Sequence, residues 1–171
     1  NTLLGGGVTA TNISYIGDVD AIGSFMGTNC NIGLNSGVIM TTGTVENSTT
    51  LLGGQEGPFG PNDNAGAGLD NSASGDVLLD VLSSASTEDA AILEFDFEAA
   101  GSSISFRYVF ASEEYLEYVN AGFNDVFGFF ITGQNPNGGN YSSTNIALIP
   151  GTSIPVTIDN LNNVSNSQYY N

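Results

Sequence analysis

Strict alternation of apolar and polar residues in two neighbouring segments constrains this chain most. In AILEFDF (91–97) the aliphatic and aromatic side chains fall on one face and the acidic ones fall on the other. SISFRYVF (103–110) alternates in the same way. A period of two is typical of half-buried β-strands. The chain is therefore predicted to be a β protein.

The two segments are predicted to form a hairpin, because only EAAGS separates them. Matching their apolar faces places Phe95 opposite Phe106 and Glu94 opposite Arg107. Arg107 is the only basic residue of the chain. We expect it to form a cross-strand ion pair with Glu94 rather than to bind a ligand.

The rest of the chain adds short strands, turns and one short helical segment. DVLLDVLSS (76–84) is predicted to be helical, with Ser74 or Asp76 as its N-cap. In the apolar run DVFGFFIT (125–132), Gly128 indicates a bulge or a close backbone approach. We expect the polar tail NNVSNSQYYN to be unpaired. Further strands are predicted at 8–17, 37–43, 145–149 and 154–158.

These patterns predict an all-β fold, a β-sandwich of jelly-roll type with at most one or two short helices. With 171 residues the chain suits a single domain over 1–171.

Charge restricts the partners of this protein. There are 18 Asp and Glu residues against a single base, and the net charge is −17. Such a surface repels nucleic acid and anionic membranes, and it attracts cations. No apolar run approaches the ~20 residues that span a bilayer, so we expect no membrane insertion.

Missing residue types exclude most catalytic chemistry. The chain has no His and no Lys, so it has no Ser-His-Asp or Cys-His relay and no Schiff-base lysine. We predict no catalytic residues and no organic cofactor. Cys30 is the single cysteine, and it is either a buried small residue or an intermolecular link.

Hard oxygen ligands are densest between two core-forming runs. Glu113 and Glu114 precede, and Asn124 and Asp125 follow, a stretch that is long enough to fold back on itself. Calcium takes six to eight oxygen ligands from such loops. We predict that these four residues, together with Asp89, form a Ca²⁺ site, the alternative being a solvated acidic loop.

Other polar clusters give weaker signals. Asn62, Asp63, Asn64, Asp70 and Asp76 could hold an ion, but a solvated loop is the favoured interpretation. Glu113 and Asp125 could form a glycosidase-like pair, yet the chain has no Trp to line a sugar cleft. Four sequons offer possible glycosylation sites, at Asn12, Asn47, Asn140 and Asn163.

FRYVFASEEYLEYVNAGFNDVFGFFITG (106–133), followed by NIALIPGTSIPVTIDNLN (145–162), resembles the core of the bacterial choice-of-anchor L domain. LLGGGVTATNISYIGDVDAIGSF (3–25), SGVIMTTG (36–43) and EDAAILEFDF (88–97) are similar to its opening and middle. The resemblance implies an exported protein, secreted or at the cell surface, without enzymatic activity. That domain continues beyond NLN with closing strands, so we expect either a fragment or a fold that takes a strand from a neighbouring molecule.

Together these features predict a non-catalytic, extracellular adhesive or structural module. We expect a calcium-stabilised subunit of a surface or matrix assembly such as a filament, formed by self-association or strand exchange. The alternative is a lectin-like domain that binds a glycan through a cation in the 113–125 loop.

Overall fold

The computed structural model describes residues 3–27, 32–45 and 70–171. Contacts divide the chain into two compact units. Of the described residues, the first unit holds 3–27, 32–45, 70–74 and 88–109, and the second holds 75–87 and 110–171. Within these residues the protein is all-β, with antiparallel strand pairs and one short α-helix.

The first unit contains two antiparallel strand pairs. They join β1 (Val8–Ile16) to β4 (Ile92–Ala99), and β2 (Ile22–Met26) to β3 (Ser36–Met40). The predicted strands at 8–17, 37–43 and 91–97 are thus confirmed, with small shifts of their ends. A short 3₁₀ helix, Val19–Ala21, leads into β2.

A bulge interrupts β1 after Thr11, where the register with β4 shifts. Asn12 has a positive φ of 51° there, a conformation that Asn tolerates better than most residues. Its side-chain amide donates to the Asp96 carboxylate across the pair, at 2.6 Å. The local sequence thus absorbs the extra residue of the bulge without losing the strand.

The predicted hairpin of 91–97 with 103–110 is not formed in the described part of the chain. β4 pairs with β1, and residues 103–110 do not pair with it. The residue opposite Glu94 is Ser14 and not Arg107. The Arg107 guanidinium donates to the Gly33 carbonyl at 2.7 Å. Alternation predicted β4 correctly but could not choose its partner, because the pattern within a strand does not specify which other strand lies beside it.

The helix of the second unit, α1 (Val77–Ser83), forms where the sequence predicted it. Of the two candidate caps, Asp76 is the one used, because its carboxylate accepts the backbone N–H groups of Leu78 and Leu79. The helix ends at Ser84, which has a left-handed φ of 63°.

Two further strand pairs complete the second unit. They join β5 (Val126–Phe127) to β8 (Val156–Thr157), and β6 (Phe130–Gln134) to β7 (Asn140–Asn145). β8 and the residue after it supply the most buried part, since Val156, Thr157 and Ile158 are at most 3 % exposed. Residues 146–149 lie beyond β7 and keep only an isolated bridge, Leu148 to Pro155. The strand predicted at 145–149 is therefore wrong except for Asn145, the last residue of β7, and the strand predicted at 154–158 is shorter than expected.

Gly128, where the sequence predicted a bulge or a close backbone approach, separates β5 from β6. A Cβ at this position would lie 2.6 Å from the Phe130 ring and 3.1 Å from Leu79. The close approach of these side chains requires a residue without a side chain. The apolar run of 125–132 is therefore broken into two strands.

The polar C-terminal tail is packed by side-chain hydrogen bonds, which corrects its prediction as unpaired. Asn162 is 1 % exposed, and its amide nitrogen donates to the carbonyls of Ile158 and Asp159 at 2.9 and 3.1 Å. Its amide oxygen accepts the N–H groups of Val164 and Ser165 at 3.0 and 2.8 Å. One buried side chain thereby satisfies four backbone groups of the turn.

We expect Asn162→Ala to lower the free energy of unfolding by about 3 kcal/mol, because it leaves several enclosed backbone groups without partners. The exposed neighbour Asn163 supplies the matched control, and Asn163→Ala should change stability by less than about 0.5 kcal/mol. Chemical denaturation measures both. Equal losses in the two variants would contradict this account of the tail.

Candidate functional site

Glu113, Glu114 and Asp125, three of the acids in the predicted site, lie at the two ends of one loop in the second unit. Residues 111–125, which we term the acidic loop, form a succession of turns, and β5 follows directly. The Ser112 hydroxyl joins the two ends. It donates to the Asp125 carboxylate at 2.6 Å and accepts the Glu114 N–H at 3.0 Å. The loop therefore folds back and brings Glu114 and Asp125 to the same serine.

Two adjacent glutamates of the acidic loop, Glu113 and Glu114, are disfavoured as anions. Burial raises the pKa of the Glu114 carboxyl above its ordinary value of 4.5, and the charges of Asp125 and Glu113 raise it further. Burial likewise raises the pKa of Glu113, with a smaller contribution from Asp125 against an opposing backbone hydrogen bond. The negative charges of Glu113 and Glu114 are thus penalised by burial and by the nearby charge of Asp125.

Glu114 carries the most unusual atom of this region. The residue as a whole is half-buried, but its Oε2 is fully enclosed, and no donor among the described residues hydrogen-bonds to it. Buried carboxylate oxygens are normally paired, since an unpaired one loses its hydration without compensation. The described residues therefore leave the negative charge at this oxygen of Glu114 uncompensated.

Asn124 has a structural role that the sequence did not reveal. Its amide nitrogen donates to the Ser83 carbonyl at the end of α1, at 3.0 Å, and its amide oxygen accepts the Asp159 N–H at 3.2 Å. These contacts attach the end of the acidic loop to the helix and to the segment after β8. The amide oxygen retains a second lone pair.

The segment after β8 holds the acidic loop at three more points. Asp159 accepts the Asn120 N–H, and the Tyr115 hydroxyl donates to the Leu161 carbonyl. The Tyr115 ring also meets the Tyr170 ring edge-on, with centroids 5.1 Å apart. Burial, assisted by Tyr170 and Asp125, raises the pKa of Tyr115 to about 12, so its hydroxyl stays a donor. Sequence reasoning missed these contacts, because they join residues about 40 positions apart.

The carboxylates do not form a complete metal cage. In the part of the chain that the structure describes, no group of three or more Asp, Glu, His or Cys side chains is arranged to hold a metal ion. A cation in the acidic loop would therefore need amide, hydroxyl or backbone oxygens as well, all of which calcium accepts.

Asp89 accepts hydrogen bonds from backbone N–H groups, and so do Asp70 and Asp76 of the polar cluster at 62–76. Asp89 belongs to the first unit, where its carboxylate accepts the N–H groups of Asn71 and Ala73 at 3.1 and 2.8 Å. Asp70 accepts the Ser72 N–H in a short turn, and Asp76 caps α1. The other members of that cluster, Asn62, Asp63 and Asn64, lie outside the described residues.

The sequons occupy different environments. Asn140 begins β7 and is exposed, as is Asn163, whereas the Asn12 amide is bound to Asp96. Asn47 and Cys30 lie outside the described residues. Within those residues, no helix is long and apolar enough to cross a membrane.

Comparison with known families identifies the chain. The sequence model of the Choice-of-anchor L domain matches residues 1–171, and the chain belongs to this family. The predicted resemblance is therefore confirmed, and the protein is an extracellular, surface-associated module. No curated protein and no solved structure matches it.

The raised pKa of Glu114 predicts how stability depends on pH in metal-free buffer. A carboxyl whose pKa is higher in the fold than in the unfolded state binds its proton more readily in the fold. The free-energy cost that the ionised carboxyl imposes on the fold is complete above the pKa that it has in the folded protein. This cost disappears as the pH falls below the pKa of the unfolded state, near 4.5. Between pH 7 and pH 5, Glu114→Gln should therefore flatten the pH dependence of the unfolding free energy, and it should stabilise the protein at pH 7.

Glu117→Gln is the matched control, because Glu117 lies in the same loop, is exposed and carries the same charge. It corrects for the general repulsion among the acidic residues, which relaxes as the pH falls. Identical pH profiles for the two variants, measured by thermal and chemical unfolding, would show that Glu114 is not specially destabilised.

Proposed function

We propose that this protein is a non-catalytic adhesive or structural module whose acidic loop binds calcium, and that it serves as a subunit of a surface or matrix assembly such as a filament. The jelly-roll arrangement of its strands is part of this proposal. Family membership supports the extracellular setting. The calcium and the assembly are supported by the physical features below.

The observation that carries the proposal is the enclosed, unpartnered Oε2 of Glu114 beside two further carboxyl groups. An arrangement of this kind destabilises the loop unless charge is neutralised. The protein itself has a single base, Arg107, which bonds to Gly33 in the first unit. An external cation is the natural neutraliser outside the cell, where modules with oxygen-ligand loops bind calcium with Kd values of about 10⁻⁴–10⁻³ M.

Four residues of the second unit would hold the ion. Glu113, Glu114 and Asp125 supply charge, and the free lone pair of the Asn124 amide oxygen supplies a neutral ligand. Since these groups do not form a closed cage in the described residues, the proposal requires the loop to tighten when calcium binds. Asp89 is not needed, because its carboxylate holds backbone amides of the first unit.

A structural role fits the available side chains better than catalysis does. Raised carboxyl pKa values also occur at catalytic sites. However, the sequence offers no His or Lys as a partner base, and the Ser112 hydroxyl is hydrogen-bonded to the Asp125 carboxylate. Burial, not a catalytic neighbour, is the largest cause of both raised glutamate pKa values.

The outer edges of the β6–β7 pair support self-association. In the described residues β6 and β7 form ladders only with each other, and this pair belongs to the second unit. An unpaired strand edge can accept a strand from a neighbouring molecule through backbone hydrogen bonds. The partner that the proposal names is a second copy of this protein.

Calcium should raise the melting temperature of the wild-type protein above its value in chelator. A ligand that binds only the folded state adds RT ln(1 + [L]/Kd), about 2.7 kcal/mol at a hundredfold excess over Kd. Differential scanning calorimetry with calcium, magnesium and chelator measures the shift. We expect magnesium to have a smaller effect, because it demands a stricter geometry.

Two variants make this test specific to the acidic loop. Glu114→Gln should lose most of the calcium-induced shift, whereas Glu117→Gln should retain it, although each removes one charge. An unchanged melting temperature of the wild-type protein in millimolar calcium would overturn the calcium proposal, and equal responses of the two variants would place the ion elsewhere.

Self-association should appear as a rise in average mass with protein concentration, measured by sedimentation equilibrium. The measurement needs two salt concentrations, because a net charge of −17 opposes assembly and salt screens this repulsion. We expect larger species in calcium and at the higher salt concentration. A monomer under all conditions would contradict the assembly proposal but leave the calcium proposal standing.

A further inference from the structure

One turn of the second unit carries a chemically unstable pair of residues. Asn137 is followed by Gly138, and it is the only asparagine of the sequence that precedes a glycine. The pair lies in the loop that joins β6 to β7, where both residues are exposed. Asparagine is among the thermolabile residues, and a following glycine offers the least steric hindrance to attack on its side chain.

We propose that Asn137 is a site of spontaneous modification, at which the side-chain amide becomes an aspartate or an isoaspartate. The backbone nitrogen of Gly138, having lost its proton to a solvent base, attacks Cγ of Asn137. The new bond closes a succinimide ring, the bond from Cγ to the amide nitrogen Nδ2 breaks, and ammonia leaves with a proton from water. Water then opens the ring at either carbonyl, and no oxidant or reductant is involved.

The space beside the Gly138 backbone is open. A Cβ built on Gly138 would have no atom within 4 Å, and the glycine has a positive φ of 105°. Solvent therefore reaches this side of the turn and the ring that must be hydrolysed. The reaction inserts one negative charge into the turn, and the isoaspartate product also lengthens the backbone by one methylene group.

Asn135 controls how readily the reaction occurs. Its carbonyl accepts the Gly138 N–H at 2.9 Å, and its side-chain oxygen accepts the Asn137 N–H at 2.9 Å. The Gly138 nitrogen cannot attack while its N–H is hydrogen-bonded to the Asn135 carbonyl. Opening of the turn is therefore the step that exposes Asn137 to modification. The side-chain hydrogen bond of Asn135 slows this step, and substitution of Asn135 removes that bond.

The test is incubation of the folded protein at mildly alkaline pH, followed by ion-exchange chromatography and mass spectrometry of chymotryptic peptides. We expect an acidic species with isoaspartate at position 137 and an equal amount of released ammonia. Asn137→Gln should abolish this species, because the longer glutamine side chain forms a ring far more slowly. Asn135→Ala should accelerate it severalfold, because the turn loses its side-chain hydrogen bond.

Three results would overturn the proposal. The wild-type protein and Asn137→Gln could accumulate the same acidic species. Isoaspartate could appear first at an asparagine followed by serine, such as Asn166. Asn135→Ala could react no faster than the wild-type protein, in which case the turn does not control the reaction.

Discussion

Enclosure of carboxylate charge in the acidic loop is the constraint on which the account of the second unit depends. Glu113, Glu114 and Asp125 share a partly buried region, and Ser112 ties its two ends together. A fold that encloses like charges must compensate for them with protons, donors or cations. The described residues supply a donor for Asp125 but none for Oε2 of Glu114.

The packing around the acidic loop explains why the loop does not unfold to relieve the repulsion among its enclosed carboxylates. Asn124 attaches the loop to α1, and Tyr115 and Asn120 attach it to the segment after β8. That segment is itself organised by the buried Asn162. The acidic loop is therefore held in place by hydrogen bonds that do not depend on the ionisation of Glu113, Glu114 or Asp125. A loop positioned in this way is suited to bind an ion without first having to fold.

Local sequence patterns predicted the elements but not their long-range contacts. β1, β3, β4, the Asp76 cap of α1 and the break at Gly128 all follow from alternation, capping and glycine sterics within a few residues. The pairing of β4 did not, because an edge can be matched by any alternating segment, and β1 lies about 80 positions away. The burial of Asn162 was not predicted for a similar reason. Nothing in a run of Asn, Ser and Val distinguishes the buried asparagine from the exposed one beside it.

The same limit applies to the candidate site. The density of Glu, Asn and Asp around one loop identified the region, since charge and spacing are visible in the sequence. The separate roles of the residues in this region were not visible in the sequence. Asn124 is chiefly a structural link, Asp89 belongs to the first unit, and Ser112, Tyr115 and Asp159 position the loop. These roles depend on partners that only the folded protein brings together.

Calorimetric titration of the metal-free protein with calcium tests the central claim most directly, when it is repeated in buffers of different ionisation enthalpy. Carboxyl groups with raised pKa values must lose their protons to bind a metal, so binding should release protons near pH 5 and fewer at pH 7. The account predicts saturable binding with this proton release, and its loss in Glu114→Gln. The absence of binding at millimolar calcium, or binding that is unchanged in that variant, would contradict it.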